Sequence, residues 1–173
     1  MSLEAPLDPA LPVERGRDAY LAENGFTVRA YEDPWTEASF VGVRFRVPNT
    51  QRHRWAIRLH DLHHVATGYG TDLAGEAEIS AWELRKGLRG LDAYVGTIVV
   101  TAALAGMVFA PRRTIAAWRA SHPGRSLFQT ERRYEELLAM TVAELRSELG
   151  VPERGIASCP RRLHAYAPAP LHA

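Results

Sequence analysis

Two histidines and two acids lie close together in one short segment of the chain. The segment contains His60, Asp61, His64 and Glu76. His60 and His64 are four residues apart, so on a helix their side chains emerge from the same face. Asp61 follows about 100° further round, on the side of His64, and a turn at residues 68–71 lets a second helix bring Glu76 back to that face. Imidazole and carboxylate ligands together are typical of a site for zinc or another first-row divalent ion.

The number of ligands leaves the role of such an ion open. Four protein ligands would make a closed, structural site, whereas a catalytic site keeps one position for water or substrate. Asp61 or Glu76 could coordinate loosely and give way. The neighbouring His63 could contact a ligand, donate a proton or simply lie nearby. The alternative to metal binding is a network of polar residues that caps a loop.

The elements that must position these residues are helices. The pattern predicts an all-α, single-domain bundle of about six helices, with the metal site between two adjacent helices. We expect an extended lead over residues 1–16, a helical domain over 17–156 and an irregular tail over 157–173. The predicted helices cover 18–23, 53–67, 72–86, 92–109, 113–121 and 130–149. Residues 33–45 could form a further helix, but the alternation over 40–47 is also typical of a strand.

Individual residues mark the limits of these helices. Asp72 is a good N-cap for the helix that carries Glu76, and Gly68 and Gly87 are typical stop signals. Glu78 is interpreted as a solvated acid. The apolar stretch from 91 to 110 predicts a buried central helix, with a membrane-embedded or membrane-touching helix as the alternative.

The ordered pattern His-Asp-x-x-His, eleven intervening residues and Glu resembles the coenzyme Q biosynthesis protein four family. The residues around His64 and before Glu76 are also similar to that family, as is the sequence from Phe109 to Arg112 after the apolar helix. The stretch 134–151 looks like the C-terminal helix of family members. The resemblance covers roughly residues 50–152, whereas residues 1–49 show none that we can name.

The resemblance implies a mostly helical protein in which His60, Asp61, His64 and Glu76 hold a divalent ion, most simply zinc. Family members act in ubiquinone biosynthesis, in the oxidative removal of the ring carboxyl group of a prenylated 4-hydroxybenzoate intermediate, which implies a metal-dependent decarboxylase or lyase. They are also described as organisers of other biosynthetic enzymes at a membrane surface, with a bound prenylated lipid. The apolar helix could then line a groove for a prenyl or other isoprenoid chain, with the candidate residues Tyr94, Val95, Ile98, Val99, Ala102 and Met107.

The bulk properties exclude some classes of protein and leave others open. A formal net charge of +1 argues against a dedicated nucleic-acid-binding protein. The single Cys159 excludes an intramolecular disulfide, and the first sixteen residues lack the pattern of a signal peptide. We therefore expect a cytoplasmic location, with peripheral contact at the inner membrane as an extension.

The adjacent His60 and Asp61 also permit a metal-dependent phosphohydrolase that recruits His122 or His164. Either long helix, the apolar one or the one over 130–149, could support a homodimer.

Overall fold

The computed structural model describes residues 6–40 and 43–157, and these form a mostly helical domain. The prediction of an all-α bundle is confirmed, with seven α-helices in the described residues rather than about six. The elements are α1 (Val13–Glu23), β1 (Trp35–Phe40), β2 (Val43–Pro48), α2 (Gln51–Thr67), α3 (Leu73–Lys86), α4 (Ala93–Phe109), α5 (Pro111–Ala120), α6 (Tyr134–Ala139) and α7 (Val142–Leu149). Short 3-10 turns lie at Val28–Glu32 and Leu127–Gln129.

The first helix begins earlier than predicted. Residues 13–16 belong to α1 instead of an extended lead, because Val13 is completely buried and its backbone N–H donates to the carbonyl of Met140 at 2.8 Å. Pro12 stands at the N-cap, where its missing N–H costs nothing. Residues 1–5 of the predicted lead, and residues 158–173 of the predicted tail, lie outside the described residues.

A two-stranded hairpin replaces the helix considered for residues 33–45. Strands β1 and β2 pair antiparallel, with Trp35 opposite Pro48 and Phe40 opposite Val43. The helix alternative was therefore wrong. The strand alternative for 40–47 is correct for residues 43–47, which lie in β2, whereas Phe40 is the last residue of β1. Aromatic and β-branched residues suit a pleated strand better than a helix, where their side chains lose rotamer freedom.

The predicted helix over residues 130–149 is divided into α6 and α7. Thr141 is the N-cap of α7, and its hydroxyl accepts a hydrogen bond from the N–H of Glu144 at 3.2 Å. The carboxylate of Glu144 in turn accepts from the Thr141 N–H at 2.7 Å. This reciprocal pair is the capping box encoded by a Thr-x-x-Glu spacing, and it begins a new helix within a continuous apolar stripe.

The bundle has two packed groups of helices. Helix α3 packs mainly against α4 and α5, and α2 packs against α1 and α7. The core joins both groups, and its largest fully buried apolar side chains are Trp82, Leu62, Ile79, Leu127, Leu137, Leu145 and Leu149. Helix α4 approaches its neighbours closely at Gly106, which leaves room for the side chains of Ala77 in α3 and Thr114 in α5.

Helix α4 is buried along one side only, contrary to the prediction of a buried central helix. Its buried residues are Val95, Val99, Ala103 and Gly106, while Leu104 is 61% and Val108 84% exposed. Among the described residues, every helix falls short of the length and apolar character that a membrane crossing requires.

Candidate metal centre

Helix α2 supplies the two histidines. Its first turn is capped by Thr50, whose hydroxyl accepts the His53 N–H at 3.1 Å, and its last turn ends at Gly68 in the left-handed region (φ 85°). His60 and His64 lie one helical turn apart, as the spacing predicts. Their rings approach with centroids 4.7 Å apart and planes nearly perpendicular, at 85°.

The loop between α2 and α3 brings the glutamate to them. Asp72 caps α3 as predicted, because its Oδ1 accepts the Gly75 N–H at 2.8 Å. Gly75 permits a tight fold of the loop, since a Cβ at this position would lie only 2.1 Å from the carbonyl oxygen of Gly70. Glu76 follows in the first turn of α3, where the positive end of the helix dipole favours a carboxylate.

Three of the four predicted ligands converge. His60 Nε2 lies 3.1 Å from His64 Nε2 and 3.3 Å from Glu76 Oε2, and His64 Nε2 lies 3.5 Å from Glu76 Oε1. The three ligand atoms fall within 4.8 Å of one another. Side-chain exposure rises from 0% at His64 through 20% at His60 to 38% at Glu76, so the cluster is closed behind His64 and open beside Glu76.

The Nδ1 atoms of His60 and His64, which point away from the cluster, both have hydrogen-bond partners. His64 Nδ1 lies 3.0 Å from the carbonyl oxygen of Tyr69, to which only an N–H can donate. His60 Nδ1 lies 2.8 Å from Glu83 Oε1, an arrangement in which an ionised carboxylate also accepts. Each Nε2 of a neutral ring therefore presents a lone pair, and two lone pairs 3.1 Å apart repel unless a cation lies between them. This donor set fits either a proton or a metal ion.

The local charges favour such a cation. Burial lowers the pKa of His60, but the charges of Glu83 and Glu76 and their hydrogen bonds outweigh burial, so this pKa lies well above its ordinary value. Burial raises the pKa of Glu76, yet the adjacent His64 and His60 lower it far below its usual range. The Glu76 carboxylate therefore stays ionised. Its negative charge and that of Glu83 stabilise a cation beside the two histidines.

Asp61 lies beside the cluster but is not one of the converging ligands. Its Oδ2 accepts a hydrogen bond from the hydroxyl of Tyr31 at 2.5 Å, and both residues are buried. Burial raises the pKa of Asp61 to about 6, although His60, Tyr31 and His64 act in the opposite direction. The hydrogen bond to Tyr31 depends on the turn at Val28–Glu32, a segment that lies outside the predicted helices.

Glu83 is the residue that the sequence analysis missed. It is completely buried, and its Oε1 lies 2.8 Å from His60 Nδ1 and 2.7 Å from His63 Nδ1. Burial raises its pKa, but His60 and His63 lower it to about 2. The available signal was its position seven residues after Glu76, which places both carboxylates on the same side of α3 two turns apart.

The structure also settles the surroundings of the other candidates. Glu78 is not solvated as predicted: it is buried and its Oε2 accepts from Arg113 at 2.6 Å. The six groove candidates are divided between sides of α4, since Val95 and Val99 are buried, Ile98 and Met107 are exposed, and Tyr94 and Ala102 are intermediate. His122 is exposed in the loop after α5, outside the group of converging ligands, and His164 lies beyond the described residues.

Comparison of the chain with models of protein families, with curated proteins and with solved structures finds no match.

Proposed function

We propose that this chain is a zinc-dependent protein of ubiquinone-type biosynthesis that assists the oxidative decarboxylation of a prenylated 4-hydroxybenzoate-type intermediate. The observation that carries the proposal is the convergence of His60 Nε2, His64 Nε2 and Glu76 on one point with both outer ring nitrogens already engaged. The resemblance of this motif to the coenzyme Q biosynthesis protein four family supplies the class of substrate.

The arrangement supports a catalytic ion in preference to a purely structural one. Three protein ligands leave one tetrahedral position for water or substrate, as catalytic zinc sites do. A zinc ion bound there would supply Lewis-acid chemistry and polarise a substrate carboxylate or phenolate oxygen. Zinc has no redox chemistry of its own, so we propose dioxygen as the two-electron oxidant. The carboxyl group leaves as carbon dioxide, water supplies the hydroxyl group that takes its place on the ring, and dioxygen is reduced to hydrogen peroxide.

The residues of the chain define how a substrate would approach. His64 is completely buried and stacks on Tyr20 with ring centroids 5.1 Å apart, so the inner side of the cluster is closed. The Glu76 side chain is the most exposed of the three. We therefore propose that the substrate carboxyl group enters from the Glu76 side.

Release of carbon dioxide from the labelled substrate tests this function. Zinc-loaded protein in air-saturated buffer is expected to release labelled carbon dioxide from a prenylated 4-hydroxybenzoate carrying label in its carboxyl group. Protein stripped by a chelator is expected to lose this activity and to regain it when zinc is restored. Glu135→Gln, which neutralises an exposed acid of α6, is the control and should behave like the wild type. Equal release by stripped and loaded protein, or none by the loaded wild type, would show that the proposal is wrong.

A second candidate, a lipid-surface scaffold whose ion is structural, is favoured by the exposed face of α4 and α5. Exposed apolar side chains gather there, at Leu104, Met107, Val108, Phe109 and Trp118. Residues 93–130 contain four arginines and no Asp or Glu. One of these arginines, Arg113, pairs with Asp72 and Glu78, and the other three add positive charge around the apolar patch. An apolar patch with flanking positive charge suits the surface of an anionic membrane.

Vesicle flotation tests the scaffold. The wild type is expected to float with vesicles that contain anionic phospholipid and not with neutral vesicles, and Val108→Glu should abolish flotation because it places a charge in the most exposed part of the patch. Ser147→Glu adds the same charge to the exposed surface of α7 and should float normally. Failure of the wild type to float with anionic vesicles, or normal flotation of Val108→Glu, would exclude this surface.

A further inference from the structure

One buried carboxylate oxygen lies within hydrogen-bond distance of two imidazole rings. Glu83 Oε1 lies 2.8 Å from Nδ1 of His60 and 2.7 Å from Nδ1 of His63, and the Glu83 side chain is 0% exposed. A buried carboxylate is costly unless it is hydrogen-bonded, and these two N–H groups are the partners that the structure gives it. These two contacts therefore fix the position of the Glu83 carboxylate and, in turn, the orientation of both imidazole rings.

The direction of the hydrogen bonds follows from a backbone contact. The N–H of Leu127 donates to Nε2 of His63 at 3.0 Å, so this nitrogen must be the unprotonated one. The proton of His63 then resides on Nδ1 and is donated to Glu83.

The His63 ring is fixed by packing as well. Its centroid lies 5.2 Å from that of Trp82 and 5.0 Å from that of Phe128, and the side chain is completely buried. A continuous line of contacts therefore leads from the backbone of Leu127 through His63 and Glu83 to His60. Each member has a defined donor or acceptor role.

We propose that Glu83 and His63 are positioning residues that set the affinity of the centre for zinc. Glu83 accepts the Nδ1–H of His60 and so directs its Nε2 toward His64 and Glu76, and His63 fixes the carboxylate of Glu83 in turn. A carboxylate behind a ligating histidine both orients the ring and increases its basicity. This inference rests on the proposed metal centre and names residues outside its direct ligands.

Zinc affinity of matched variants tests the inference without any assay of turnover. Glu83→Gln removes the charge but keeps the shape, and its zinc dissociation constant, measured by calorimetry, is expected to rise by roughly 10- to 100-fold. The cobalt(II)-substituted variant should also show an absorption spectrum shifted from that of the wild type. Glu78→Gln is the control, since it makes the same change on the same helix at a buried acid paired with Arg113. It should lower the melting temperature but leave the dissociation constant and the cobalt spectrum unchanged.

A second variant keeps the inference testable if Glu83→Gln does not fold. His63→Phe preserves a ring between Trp82 and Phe128 but removes the donor to Glu83, and we expect it also to weaken zinc binding. Wild-type affinity and spectrum in either folded variant would overturn the positioning role while leaving the metal centre intact. Failure of the wild type to bind zinc would overturn both this inference and the proposed function.

Discussion

Replacing His64 with alanine is expected to reduce the bound zinc from about one ion per chain to none. His64 has the most deeply buried side chain of the three converging residues, and its removal leaves only His60 and Glu76. Two protein ligands cannot complete a site that already has an open position. The loss should exceed the roughly 10- to 100-fold weakening that follows removal of an outer contact. Metal content by mass spectrometry, after incubation with zinc and desalting, gives the measurement.

Two further variants separate metal binding from folding. His64→Ala also leaves a cavity beside Tyr20 and an unpaired carbonyl at Tyr69, so it should lower the melting temperature. Glu76→Gln keeps the shape of a partly exposed side chain and should lose zinc with a smaller effect on stability. His122→Ala removes an exposed histidine and should retain zinc fully. If both His64→Ala and Glu76→Gln retained zinc, the ion would bind elsewhere in the chain. If the wild type bound no zinc, the cluster would be a network of polar side chains and not a metal site.

Replacing Gly75 with alanine is expected to disrupt both the fold and the candidate metal centre. The new Cβ would lie 2.1 Å from the carbonyl oxygen of Gly70 and 2.7 Å from Oδ1 of Asp72. Because the nearest atom belongs to the backbone, a change of rotamer cannot relieve the overlap and the loop must move. We expect a loss of about 3 kcal/mol in the free energy of unfolding, the upper end of ordinary overpacking. The corresponding fall in melting temperature is roughly 6–12 °C for a chain of this size.

The effect of Gly75→Ala on zinc should accompany the effect on stability. The displaced loop carries the Asp72 cap that begins α3 and the Tyr69 carbonyl that orients His64. Gly96→Ala is the matched control, because a Cβ at this position of α4 meets nothing within 4 Å. It should raise stability by about 0.5–1 kcal/mol through helix propensity and leave zinc binding unchanged. Equal thermal unfolding of the two variants would show that the Gly75 approach is not required.

Much of the fold was predictable because its helices are delimited locally. The N-cap at Asp72 and the stop at Gly68 depend on side chains and backbone conformations within a few residues. The break before α7 was equally local, and the Thr141 to Glu144 spacing encodes it, but the continuous apolar stripe outweighed that signal in the prediction. The start of α1 at Val13 was not local, since it depends on the burial of Val13 and on its hydrogen bond to the distant Met140 carbonyl.

Helical periodicity and capping are properties of neighbouring residues. The sequence therefore specifies that His60 and His64 share one face of a helix and that Glu76 lies in the first turn of the next helix. The groups that surround these three residues depend on long-range packing. Asp61 pairs with Tyr31, thirty residues away, and Glu83 meets His60 and His63 across the α2–α3 contact. Such partners depend on how separate elements pack, and the spacing of residues within one helix does not specify the position of another.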